Sequence, residues 1–115
     1  MYASASLLAQ LQPSGTASTA AYTATLRTEI TRVVVCNVTA SAAVWDLYHD
    51  DAAAGLASGN ALVYGKSLAA NTYEVPVEAR DGNGIVLSAG GKVGVRSGTG
   101  SAITFSIYGV TQTQR

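Results

Sequence analysis

The chain has 115 residues, 48% of them hydrophobic and only 12% charged, and its seven basic and seven acidic residues cancel in the formal net charge. One domain fits that length, and a charged fraction well below the roughly 25% of an average soluble protein suits contact with other protein better than free life in solution. No like charges cluster, since Lys66, Arg80, Lys92 and Arg96 are scattered, which argues against a nucleic-acid footprint; one Cys excludes an internal disulfide and a Cys-based zinc site, and no run approaches the ~18 apolar residues of a membrane span.

The opening "MYASASLLAQLQP" lacks the basic start and long apolar core of a secretion leader, so none is expected. Ala5, Leu7, Ala9 and Leu11 alternate with Ser4, Ser6, Leu8 and Gln10, which predicts a half-buried strand over residues 4–12. Pro13, Gly15 and a run of small polar residues then read as a linker. Residues 1–19 are therefore expected to form an extended arm and linker, and 20–115 the folded domain. A strand on such a linker can complete its own sheet or join the edge of a neighbouring subunit, and the neighbour is the favoured partner. Leu7, Leu8 and Leu11, with Tyr22 just beyond, are the candidate assembly residues.

A weak strand is expected at Ala20–Leu26 and a strong one at Glu29–Thr39. In the latter, alternation puts Ile30, Val34, Cys36 and Val38 on one side and Thr31, Val33, Val35 and Asn37 on the other. After the small polar turn "NVTASAA" comes Val44–His49, with Trp45 and Leu47 on one face and Asp46 and Tyr48 on the other. "DDAAAGLASGNAL" is rich in Ala, but its glycines and small polar residues break it before a stable helix. Further strands follow at Ala61–Leu68, Thr72–Ala79, Ile85–Ser88, Lys92–Arg96 and Ala102–Val110. The last turns Ile103, Phe105 and Ile107 inward and Thr104, Ser106 and Tyr108 outward. "RDGNG" and "SAGGK" are tight-turn sequences. Short strands at this spacing predict an all-β fold, a single antiparallel β-sandwich of jelly-roll type.

Candidate chemistry centres on "YHDD", which joins the only His to Asp50 and Asp51. A metal or acid–base site would need further partners in space, and polar residues leaving a strand for solvent are the simpler reading. "DGNG", Asp81–Gly84, resembles the start of a calcium loop, but the later ligand positions carry Ile85 and Lys92, so a hairpin turn is expected. Cys36 sits among valines with no base to activate it. Asn37-Val38-Thr39 fits the glycosylation pattern, yet it reads as a strand-end turn. Trp45 alternates with core positions; Tyr48, Tyr64, Tyr73 and Tyr108 leave a sugar-binding platform open as a minor reading. No catalytic, cofactor or metal-binding residues are assigned, and the sequence argues against an enzyme.

Four stretches carry a family resemblance: "LLAQLQPSGTASTAAYTA", "ITRVVVCNVTASAAVWDLYHDD", "LVYGKSLAANTYEVP" and "GIVLSAGGKVGVRSGTGSAITFSIYGV", the last closing on Tyr108-Gly109-Val110. Together they resemble small β-sandwich virion proteins of tailed bacteriophages, over nearly the whole chain, through turn and core motifs without catalytic content. The resemblance implies a non-enzymatic capsid decoration or cement protein in the virion, assembled in the host cytoplasm. Its implied partners are copies of itself, as a homo-oligomer such as a trimer, and the phage major capsid protein or tail proteins; nucleic acid and membrane are not expected. A tail or tail-fibre-attachment adaptor is the alternative, and a carbohydrate-binding host-recognition module a third.

Overall fold

The computed structural model describes residues 5–51, 55–79 and 84–112. The strands run in chain order as β1 (Ser6–Leu11), β2 (Thr19–Thr23), β3 (Thr28–Asn37), β4 (Ala43–Asp50) and β5 (Ala61–Leu68). Then follow β6 (Tyr73–Glu78), β7 (Ile85–Leu87), β8 (Lys92–Ser97) and β9 (Ile103–Thr111). The Ala-rich segment before β5 supplies only a 3-10 turn at Ser58–Asn60 among its described residues.

Two antiparallel sheets pack together as a sandwich. One has the order β1-β9-β3-β6, with β7 beside the start of β3 on the edge that β6 continues; the other has the order β2-β8-β4-β5. The pairings nest inside one another along the chain. β4 pairs with β5, β3 with β6 and β7, β2 with β8, and β1 with β9, while β3–β9 and β4–β8 join these pairs into sheets.

The core lies between the sheets. Trp45 and Leu47 of β4, Val93 and Val95 of β8, Val33 and Val35 of β3, and Ile103, Phe105 and Ile107 of β9 are fully buried. Trp45 meets Phe105 across the sandwich edge to face, with centroids 6.5 Å apart, a geometry worth about 0.5–1.5 kcal/mol beyond burial. The alternation expected for β4 and β9 is the one observed.

Two expectations are corrected. In β3, Ile30 lies opposite Gly109 and Arg32 opposite Tyr108, so Thr31 is an extra, bulged residue. A bulge moves the following residues to the other face. Ile30 is therefore buried on the same side as Val33, Val35 and Asn37, away from Val34 and Cys36. The second correction concerns the arm. β1 pairs with β9 of its own sheet, from Ser6 opposite Gly109 to Leu11 opposite Phe105, with a register shift between Leu7 and Ala9. Leu8, Ala9 and Leu11 therefore pack against the core while Leu7 turns outward, in place of the expected shared face of Leu7, Ala9 and Leu11. The neighbour's sheet is not needed: without β1, the edge of β9 and the hydrophobic rim beneath it would be open. The linker is tied down as well, since Ser101 N–H donates to the Pro13 carbonyl at 2.8 Å.

Of the two tight turns, "SAGGK" is formed by Ser88–Lys92, where Gly90 takes a φ of 89° and Gly91 N–H donates to the Ser88 carbonyl at 2.8 Å. "RDGNG" and the calcium-loop comparison lie outside the described residues up to Gly84.

Candidate functional site

The end of β4 turns its polar residues to structural use. His49 is partly buried, and its Nε2 lies 3.1 Å from the Val86 carbonyl oxygen, which requires the proton on that nitrogen. Asp50 is buried, and its Oδ2 accepts a hydrogen bond from Gly55 N–H at 2.9 Å. Asp51 accepts from Ser88 N–H at 2.8 Å and from Ser88 Oγ at 3.2 Å. β4 and β7 belong to different sheets, so His49 and Asp51 clasp the sandwich at this end. Among the described residues, no three His, Cys, Asp or Glu side chains gather as a metal-ligand set.

A second polar cluster occupies the outer face of β4. Asp46 is 1% exposed and accepts from Tyr48 Oη at 2.7 Å, Gly65 N–H at 2.6 Å and Arg96 Nη1 at 3.4 Å. Hydrogen bonds of this kind satisfy a carboxylate that would otherwise be costly to bury. Burial pushes the Tyr48 phenol above its ordinary value; Asp46 and Tyr64 add to the rise, and a hydrogen bond with Ser18 opposes it. This cluster holds the irregular stretch of β5, where Gly65 takes a φ of 65°. From the sequence, Asp46 and Tyr48 share a face, but the meeting of Asp46 with Arg96 depends on the β4–β8 register.

Asn37 organises the next turn. Its amide donates to the carbonyls of Ser41 at 2.8 Å and Leu68 at 3.1 Å, while its Oδ1 accepts from Thr39 N–H and Thr39 Oγ1. The residue is fully buried, so the glycosylation pattern here serves a turn. Trp45 is likewise fully buried and edges no sugar platform. Cys36 is partly buried on the outer face of β3, opposite Thr104 and Tyr73.

The four assembly candidates converge on one edge of the sandwich, where β1 and β2 run alongside each other. Leu7, opposite Tyr108, is 49% exposed. Leu8, Leu11 and Tyr22 are partly buried against the core. Leu11 also lines a cleft of about 360 Å³ with Pro13, Ser14, Gly15, Ala17 and Thr19, which offers hydroxyls and small apolar groups and no titratable side chain. A smaller cleft of about 200 Å³ lies between Arg27, Glu29, Val110 and Gln112. Neither brings together a nucleophile with a base, or two carboxylates. Sequence reasoning passed over Arg32 and Glu78, which stand side by side on the open face of the first sheet; a lone Arg inside "ITRVVV" was the available signal. No protein-family model, curated protein or solved structure matches the chain.

Proposed function

We propose that the chain is a non-enzymatic structural protein of a tailed-bacteriophage virion, serving as a capsid decoration or cement protein that holds to the head shell by protein–protein contacts. The observation that carries this reading is the division of labour among its side chains. The residues with chemical potential, His49, Asp46, Asp50 and Asp51, are engaged in hydrogen bonds that hold loops and strands in place. The surface meanwhile keeps large apolar groups in the open: Leu7, Leu62, Tyr64 and Tyr73 are 49%, 50%, 66% and 68% exposed. A neutral, charge-poor surface carrying such groups fits burial against other protein.

We read the strand order as a jelly roll, with β6 and β7 counted as one strand, because the nested pairs form one long hairpin rolled upon itself. In this reading the β1/β2 edge, with Leu7, Leu8, Leu11 and Tyr22, contacts the shell, and further copies of the chain are the other partner. Quantitative mass spectrometry of virions of the encoding phage tests the proposal. Hundreds of copies per particle are expected of a decoration protein. A handful would move the chain to the tail, as the adaptor of the alternative reading, and absence from the particle would overturn both.

A further inference from the structure

The two outer faces of the sandwich differ. On the β2-β8-β4-β5 sheet, Leu56 packs over Gly94 and Asp46 and Tyr48 are buried, while Val44, Leu62 and Tyr64 stand exposed on β4 and β5 without a charged neighbour pair among them. On the outer face of the β1-β9-β3-β6 sheet, Arg32, Tyr73 and Glu78 are exposed, while Ser106, bonded to Gln10, is buried. Directly opposed residues on antiparallel strands share a face. Arg32 is flanked by Tyr108 and Glu78, and Cys36 by Thr104 and Tyr73, with Val34 between these rows opposite Ser106. Most of this face is hydroxyl or apolar. Arg32 and Glu78 are exposed, and among the described residues neither has an ion-pair partner.

Arg32 and Glu78 stand side by side as a pair of opposite charges, with Glu29 farther along β3 on the same face and accepting from Gly84 N–H. Such a pair has a natural complement, which is the same pair turned over. A two-fold axis running along the strands between β3 and β6 brings Arg32 of one copy onto Glu78 of the other, and Glu78 onto Arg32. The same axis sets Cys36 against Tyr73. Contacts of this kind, repeated symmetrically, define an isologous interface. We propose that the outer face of the β1-β9-β3-β6 sheet is a self-association surface on which a second copy of the chain stacks, Arg32 of each copy meeting Glu78 of the other. The overlap of β3 with β6 is narrow beside a permanent interface, so the dimer is concentration-dependent. In an array of many copies, weak contacts add through effective concentration. This deepens the self-binding part of the virion reading, yet it concerns the purified chain and stands or falls without a virion.

Light scattering on a dilution series of the full chain reads the mass. The wild-type mass should climb toward twice that of the chain as concentration rises. Arg32→Glu and Glu78→Arg should each shift the midpoint of that rise at least tenfold upward, and the double reversal should bring it back, because the reversed pair is again self-complementary. Thermal melts of all four proteins control for folding, and Arg32→Gln with Glu78→Gln replace any reversal that melts early. A wild type that stays at the single-chain mass overturns the proposal. So do single variants that associate like wild type, or a double reversal that fails to recover.

Discussion

At Trp45 a large favourable term meets a smaller unfavourable one. The ring is fully buried and packs edge to face on Phe105, but its Nε1 has no hydrogen-bond partner among the described residues. A buried polar group left unpaired costs about 1–3 kcal/mol. Trp45→Ala should lower unfolding stability by about 3–5 kcal/mol in urea titration. Trp45→Phe, which removes the unpaired N–H with part of the ring, should lose less than half as much; equal losses would mean that the N–H is satisfied. Tyr48 gives a pH effect. Its phenol is raised by burial first and by Asp46 and Tyr64 next, so folding favours the protonated form. The associated stability is complete below the unfolded pKa of about 10 and is lost as pH rises through the higher folded value. The advantage of wild type over Tyr48→Phe in urea should therefore shrink above pH ~10. A difference that stays constant across that range would contradict the assignment.

Strand identity was legible because alternation is a local property, and strand phase was not legible wherever an extra residue intervened. Ile103, Phe105 and Ile107 announce the inner face of β9, and Trp45 with Leu47 that of β4, since no bulge interrupts the β4–β8 register. In β3 the bulge at Thr31 reverses the phase, and Thr31 differs in no visible way from the other hydroxyl residues of the chain. β1 was also legible as a strand, while its partner was not: "SLLAQL" has the same pattern whether it joins β9 or another chain. The candidate polar cluster was hidden for a related reason, because Asp46 and Arg96 meet only through a register set by distant residues. The pairing of β1 carries a prediction. Leu8, Ala9 and Leu11 are partly buried, and at about 1 kcal/mol for each such side chain, deleting residues 2–14 should cost roughly 3 kcal/mol or more. A lower urea midpoint for the truncated chain is the expected result; an unchanged midpoint would return β1 to the status of a detachable arm.

For the whole molecule, stability rests on contacts between sheets and on the hydrogen bonds that clasp them. His49 and Asp51 tie β4 to the segment around β7 by hydrogen bonds to the Val86 carbonyl and from the Ser88 N–H. Thermal melts with and without a chelator should accordingly coincide; a reproducible drop on chelation would show a metal bound to the folded state, since such binding raises stability by mass action. The nested pairing has a mechanical consequence. Ser6 lies opposite Gly109, so the two ends of the described chain leave the sandwich side by side at one end of the β1–β9 ladder. Tension applied between them loads that ladder one hydrogen bond at a time, as a zip is opened, and never in shear across all of its bonds at once. β1 would peel from β9 first, exposing Leu8 and Leu11, and the β2–β8 and β3–β6 pairs would follow inward toward β4 and β5. A chain strained through its termini yields at low force and from the outside in. The same chain pressed or pulled through its sheet faces spreads the load over the buried core, where Trp45 and Phe105 interlock.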